Sequence, residues 1–265
     1  MSGTSVLVEG VRLAYEVQGE SGPWVVFSHS LGCTRHMWRR QIDALSACFR
    51  VLAYDLAGHG DSEAGAQPGS LERLAADVRG LLDAVGADRA HFVGISIGGM
   101  IGQTLAIASP ERVAGLVLAN TTAYMPPPAL PLWEQRILLA QKEGVAALAR
   151  PSLERWFPPA YRKVHPDALA ALEADFERTS VQGYVACCEA IMGLDTRAAL
   201  ARIACPTLIV GGTEDPGAPA DALRAMCQQI PRAELLLIEG AGHLSSIDHE
   251  AVFTEALEGF LSRHA

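Results

Sequence analysis

The stretch His91-Phe92-Val93-Gly94-Ile95-Ser96-Ile97-Gly98-Gly99 decides how this chain is read. A short apolar run leads into Gly-x-Ser-x-Gly, and residues 100–108 continue as a helical pattern. Strand, sharp turn and helix in that order form a nucleophile elbow. The glycines have a steric purpose: the turn is so tight that side chains at 94 and 98 would collide with neighbouring backbone. Ser96 is then expected in a strained conformation, its hydroxyl pushed out above a sheet at the positive end of the following helix. The backbone N–H of Ile97 would face the oxygen of a developing tetrahedral anion.

Outward from the elbow, short apolar runs alternate with helical patterns, as in a mostly parallel sheet covered on both faces. Runs 24–28, 51–54, 90–94, 113–119, 207–210 and 233–238 are rich in Val, Leu and Ile and bounded by Gly, Pro, Asp or Asn. Runs that are apolar on both faces suit buried parallel strands. The opening differs: 5–8 and 11–17 flank Glu9-Gly10 and read as a hairpin, so an eight-stranded sheet starts antiparallel. Leu71, Leu74, Ala75, Val78, Leu81, Leu82 and Val85 keep the spacing of one buried helical stripe, with Gly86 as its stop. Residues 248–261 read as a closing helix.

Between 121 and 200 no strand pattern occurs. Pro126, Pro127, Pro128, Pro131, Pro151, Pro158, Pro159 and Pro166 punctuate helical stretches at 132–149 and 167–179. The expected organisation is an α/β core of residues 1–120 and 201–265, with residues 121–200 as a helical cap insertion. Such a cap would lie over the carboxyl edge of the sheet, where open α/β sheets bind ligands.

A serine hydroxyl is inert near neutral pH without a base, and at an elbow of this kind the chain order is Ser, acid, His. Of eight histidines, His165, His243, His249 and His264 follow Ser96. His243 closes Glu239-Gly240-Ala241-Gly242-His243 just past the last strand, where a short glycine-rich loop brings an imidazole to the serine. Asp215 is the expected acid: it follows strand 207–210 at its carboxyl end, and Pro216 favours an extended residue before it. Glu214 and then Asp195 are the alternatives. A second anion donor is expected from His29-Ser30-Leu31-Gly32, at the backbone N–H of Leu31, with Gly32 letting the chain pass close. His29 precedes Ser96 and reads as structural. The segment Asp55-Leu56-Ala57-Gly58-His59-Gly60-Asp61-Ser62 reads as a tight hydrogen-bonded loop, and His59 and Asp61 lack the ligand spacing of a metal site.

Composition narrows the partners. The 265 residues are 49% hydrophobic and 19% charged, which excludes a disordered chain. A net charge of −9 argues against a phosphate-backbone binder, so no nucleic acid is expected. No run of about 18 apolar residues is present to span a bilayer. The first residues lack a basic start followed by an apolar core, so no signal peptide is read and a cytoplasmic location is expected. Cys33, Cys48, Cys187, Cys188, Cys205 and Cys227 form no C-x-x-C pair and read as reduced packing residues.

Together these motifs resemble the α/β-hydrolase superfamily and, within it, the 3-oxoadipate enol-lactonases. The narrower resemblance rests on Ser28-His29-Ser30-Leu31-Gly32 followed by Met37-Trp38, and on Gly240-Ala241-Gly242-His243-Leu244-Ser245-Ser246-Ile247. In the insertion it rests on Arg155-Trp156-Phe157, Gly183-Tyr184 and Cys188-Glu189-Ala190-Ile191. His29 departs from an expected Asn, Ala57 from a common Arg, and Ser246 from the Asn after His-Leu-Ser.

The resemblance implies a serine hydrolase without cofactor or metal, acting on a small-molecule lactone or ester. Its chemistry would open the enol-lactone of 3-oxoadipate to 3-oxoadipate in aromatic-acid catabolism. Ser96 would attack the carbonyl, His243 take its proton and Asp215 orient the imidazole. The substrate's free carboxylate calls for a local cation in so acidic a protein. Arg136 is the candidate, with Trp133 and Trp156 as apolar wall; a solvated helix arginine and plain cap packing are the alternative readings. A carboxylesterase, a carbon–carbon bond hydrolase or a cofactor-free perhydrolase could use the same three residues. A non-catalytic small-ligand receptor is the alternative of another class.

Overall fold

The computed structural model describes residues 4–65 and 69–265. Its first part runs β1 (Thr4–Val8), β2 (Val11–Gln18), β3 (Trp24–Ser28), α1 (Arg39–Leu45), β4 (Arg50–Tyr54), α2 (Leu71–Ala84), β5 (Ala90–Ile95), α3 (Ile97–Ala108) and β6 (Val113–Ala119). Five helices follow: α4 (Leu130–Glu143), α5 (Ala146–Trp156), α6 (Pro159–Val164), α7 (Pro166–Glu177) and α8 (Val181–Met192). The chain closes with β7 (Thr207–Gly212), α9 (Ala220–Gln229), β8 (Ala233–Ile238), α10 (Ser245–Asp248) and α11 (Glu250–His264).

All eight strands lie in one sheet, in the order β1-β2-β4-β3-β5-β6-β7-β8. β2 runs antiparallel to β1 and β4; every other pair is parallel. Glu9 (φ 45°) and Gly10 (φ 85°) both take positive φ, as a two-residue hairpin turn needs. Every residue of β3, β5 and β7 is buried, which is why those stretches are apolar without alternation. In α2, Ser70 accepts the Arg73 N–H as N-cap, Leu71, Leu74, Val78, Leu81 and Leu82 turn inward, and Gly86 (φ 68°) follows the end of the helix.

Because the central strands are parallel, their carboxyl ends share one edge of the sheet. The loops leaving β3, β5, β6, β7 and β8 there carry His29, Ser96, Asn120, Asp215 and His243. The loop after β4 is tied down by the buried Asp55 carboxylate, which takes the backbone N–H of Arg35 (2.7 Å) and Asp61 (3.0 Å) and pairs with the Arg35 guanidinium.

Among the described residues, the chain between β6 and β7 contains no strand beyond one antiparallel bridge, Tyr124 to Asp195, where it leaves and returns. The helical stretch expected at 132–149 is two helices. Gly144 (φ 86°) ends α4 with its N–H on Ala140 O (3.0 Å), and α5 starts afresh. Pro151, expected as a break, lies inside α5, where Leu148, Ala149, Leu153 and Trp156 are buried. That packing carries the helix past the missing N–H. The closing helix expected at 248–261 is α11, and the short α10 before it ends at Asp248, whose carboxylate accepts the Gly242 N–H (2.7 Å) beside the His243 loop.

Three histidines sit in this interior. Burial holds the pKa of His29 and of His91 at about 4 and that of His59 at about 3. Their unfolded forms titrate near 6.5, so between pH 6.5 and 4 unfolding takes up three protons from these groups. Burial raises Asp77 to about 6 despite Arg73, and unfolding there releases one proton in the same window. These four groups together give a net uptake of about two protons, which makes stability fall by about 3 kcal/mol for each unit the pH is lowered near pH 5, a slope that the raised pKa of Asp248 reduces. Urea unfolding followed from pH 7 to 4.5 should show that slope. His91→Gln should flatten it by about one proton; an unchanged slope would mean that His91 titrates as a solvated imidazole.

Candidate active site

Ser96 joins β5 to α3 at φ 58°, ψ −120°. Its N–H donates to Ala119 O (2.9 Å), and its own carbonyl accepts the Thr121 hydroxyl (2.8 Å). A Cβ on Gly94 would overlap the Gly98 carbonyl, and one on Gly98 would overlap the Ser28 carbonyl. The two glycines are there because three backbone segments meet at the turn.

His243 Nε2 lies 3.0 Å from Ser96 Oγ, and His243 Nδ1 lies 3.0 and 2.9 Å from the two oxygens of Asp215. The imidazole is held from its other sides as well. The His243 backbone N–H donates to Trp156 O (2.7 Å), and the Trp156 ring stacks on the imidazole at 6.3 Å between centroids. The alternatives named from the sequence stand elsewhere. His165 stacks on Tyr161, His249 bonds Asp248, and His264 packs on Phe260. Glu214 is exposed, and Asp195 is paired with Arg197 at 2.7 Å.

The carboxylate of Asp215 is buried, which by itself would raise its pKa. The attraction and hydrogen bonds of His243, the amide of Asn120 (3.0 Å) and the N–H of Gly217 (2.7 Å) outweigh that and hold it below the usual value. Asn120 was not singled out from the sequence. It stands at φ 45°, donates to both Asp215 Oδ2 and Gly242 O (3.0 Å), and accepts the Ser245 hydroxyl. The available signal was positional: Asn120 follows β6 directly, on the same edge as Ser96 and Asp215, and Asn tolerates a positive φ.

Leu31 and Ile97 are buried residues, and among the described residues neither backbone N–H finds an acceptor. Buried donors are almost always paired, so these two, one on the residue after Ser96 and one on a residue lining the cavity with it, are left free to meet a ligand.

A cavity of about 60 Å³ opens over Ser96 and His243, lined by Leu31, Trp133, Arg136, Arg155 and Trp156 among others. A wider cavity of about 500 Å³ shares Trp133 and Arg155 with it. Arg136 is buried, not solvated. Its Nε and Nη2 donate to the Tyr184 hydroxyl (2.9 and 2.6 Å), and Nη2 also to Ser152 (2.7 Å). Trp133 lies beneath it at 5.6 Å. Arg155 was quoted from the sequence only for resemblance. Arg155 is exposed and lines both cavities, and partial desolvation followed by repulsion from Arg136 lowers its pKa. Among the described residues no carboxylate pairs with either guanidinium. None forms a metal-holding group of three or more His, Cys, Asp or Glu, and no helix is long and apolar enough to cross a membrane.

A parallel sheet with a serine elbow at its centre, facing a histidine loop after the last strand, is the architecture of an α/β-hydrolase. The chain belongs to that family, in its enol-lactonase group, and is a hydrolase: residues 23–250 match the family described as alpha/beta hydrolase fold. It is 34% identical over 260 residues to 3-oxoadipate enol-lactonase 2 of Acinetobacter baylyi, covering 98% of this chain and 96% of that one. It is 33% identical to a proposed carbamate hydrolase, RutD, of Azorhizobium caulinodans, covering 94% of each. The crystal structure of the enol-lactonase from Burkholderia xenovorans LB400 superposes with a TM-score of 0.94 at 38% identity, covering 98% of this chain and all of that one.

Asn120→Gly keeps the positive φ available and removes the amide. The expected result is a loss of about 1–3 kcal/mol in urea unfolding and about tenfold slower turnover of an activated ester. Unchanged turnover would show that Gly217 alone suffices to hold Asp215.

Proposed function

We propose that this hydrolase opens a small carboxylate-bearing lactone, the enol-lactone of 3-oxoadipate, to give 3-oxoadipate. One observation carries the reading: the hydrogen-bonded series Ser96, His243, Asp215 faces a cavity that holds two guanidiniums and, among the described residues, no acid paired with them. In a chain of net charge −9, an anionic substrate needs such a local excess of positive charge. The similarity to enol-lactonases over nearly the whole chain supports the same substrate class.

On this reading Ser96 Oγ attacks the lactone carbonyl while its proton passes to His243 Nε2. Asp215 holds the imidazole and stabilises the imidazolium. The Leu31 and Ile97 N–H groups take the tetrahedral oxyanion. Collapse breaks the ring C–O bond, and the His243 imidazolium gives its proton to the leaving enolate, whose enol becomes the ketone. A water then gives a proton to His243 and attacks the acyl-serine; the imidazolium returns that proton to Ser96 Oγ as the acyl bond breaks, and the acid released ionises to a second carboxylate. Residues 121–200 act as a cap, through which Trp133 and Trp156 wall the pocket. Arg136 holds the substrate carboxylate with its uncommitted Nη1, and Arg155 faces the same anion.

The test is the loss of ultraviolet absorbance of 3-oxoadipate enol-lactone on hydrolysis. Wild type should turn it over and Ser96→Ala should not. Arg136→Met and Arg155→Met should each raise KM about 10- to 100-fold, the range of one charge-assisted hydrogen bond, with a smaller effect on kcat. Turnover of activated esters or carbamates without turnover of the lactone would keep the serine chemistry and discard the substrate.

A further inference from the structure

The Leu31 N–H serves an oxyanion only if the peptide between Ser30 and Leu31 keeps one orientation. In a trans peptide the carbonyl and the next N–H point in opposite directions. Whatever holds the Ser30 carbonyl therefore aims the Leu31 N–H.

Two donors converge on that carbonyl. The Cys33 N–H reaches it at 3.0 Å, closing a turn whose third residue, Gly32, has φ 75°. His29 Nδ1 lies 2.8 Å from the same oxygen. The other ring nitrogen, Nε2, accepts the Leu56 backbone N–H at 2.9 Å, just past β4. A nitrogen that accepts carries no proton, so the proton sits on Nδ1 and is donated to Ser30 O. The ring is fully buried, and burial keeps it neutral. His29 is thus a strut between the backbone after β4 and the Ser30 carbonyl. The Leu31 N–H is turned the other way and has no acceptor among the described residues, and Leu31 lines the cavity together with Ser96 and His243.

We propose that His29 is a positioning residue for the oxyanion site, fixing the Ser30–Leu31 peptide so that the Leu31 N–H meets the charge that develops on the substrate. This rests on the serine-hydrolase reading above. Without the Nδ1 donor, the Cys33 N–H alone holds the carbonyl, and the peptide is free to rock. The loss falls on the transition state, while substrate binding through the arginines is untouched.

Asn and Leu are near-isosteric replacements that separate this role from packing. His29→Asn places an amide N–H where Nδ1 stood and can still donate to Ser30 O; His29→Leu cannot. Both lose the acceptor for Leu56 N–H and leave a similar void, so both should lower Tm alike. With p-nitrophenyl acetate, His29→Leu should lower kcat about 10- to 100-fold, at or below the cost of deleting one oxyanion donor. KM should stay within about threefold, and His29→Asn should keep kcat within about threefold of wild type. Affinity for a trifluoromethyl ketone, which forms a tetrahedral adduct with the serine, should weaken with kcat/KM in the Leu variant only. Equal kcat in the two variants, or a change confined to KM, would overturn the inference while leaving Ser96→Ala inactive and the hydrolase reading intact. Full activity in Ser96→Ala would overturn both. If His29→Leu does not fold, folded His29→Asn decides: near-wild-type kcat at lowered Tm supports the strut, and a tenfold loss of kcat overturns it.

Discussion

The backbone of Ser96, held at φ 58°, is the constraint on which the rest of the site depends. A non-glycine residue there costs about 1–3 kcal/mol and persists only when its surroundings over-determine it. They do so here from three sides. The Ala119 carbonyl takes the Ser96 N–H, the Thr121 hydroxyl takes the Ser96 carbonyl, and the Gly98 and Ser28 backbones close in where no Cβ exists. β5 lies between β3 and β6 in the sheet, so the strain is held by both neighbouring strands. The same parallel order brings the ends of β7 and β8 to that edge, which is how residues 147 positions apart come within one hydrogen bond.

The helices between β6 and β7 do more than roof the pocket. Trp156, expected as apolar wall or cap packing, holds the His243 N–H through its carbonyl and lays its ring along the imidazole. Phe176 packs against Trp156 on one side and fills the space beside Gly32 on the other. One aromatic pair therefore touches both the histidine loop and the turn that presents Leu31. A shift of α5 or α7 would disturb the His243 loop and the turn at Gly32 together. The close approach of Gly58 to Gly183, with Ser180 N–H on Gly58 O (2.8 Å), anchors α8 to the loop after β4 in the same way.

How much of this was legible follows from how local each signal is. The elbow, the buried strands and the stripe of α2 were readable because their causes are short-range: a tight turn needs glycine, and burial on two faces needs continuous apolar residues. His243 and Asp215 could be named because each sits one loop beyond a readable strand. Asn120 could not, since its partners at 215, 242 and 245 are joined to it only by the folded sheet. The stop at Gly144 has a local cause, a glycine at positive φ closing the helix, whereas the helix running through Pro151 has a distant one. There the packing of Leu148, Leu153 and Trp156, not local propensity, decides where helix forms. Arg155 is exposed, as an arginine beside glutamate on a short helix is expected to be, and only the folded cavity brings it together with Arg136.

That pair of arginines gives the proposed reaction a direction. Two guanidiniums in one cavity repel each other, and that repulsion adds to partial desolvation in lowering the pKa of Arg155. An incoming carboxylate relieves both desolvation and repulsion, so on the proposed reading the empty site favours an anion before any contact with Ser96 is made. Hydrolysis then creates a second carboxylate at the serine. Behind the imidazole there stands the carboxylate of Asp215, whose ionised form is favoured by His243, Asn120 and Gly217. The substrate lactone is neutral at that end and the product is not. The new anion is repelled by Asp215 while the old one stays attracted to the arginines, so the charge that admits the substrate at one end of the cavity helps expel the product from the other.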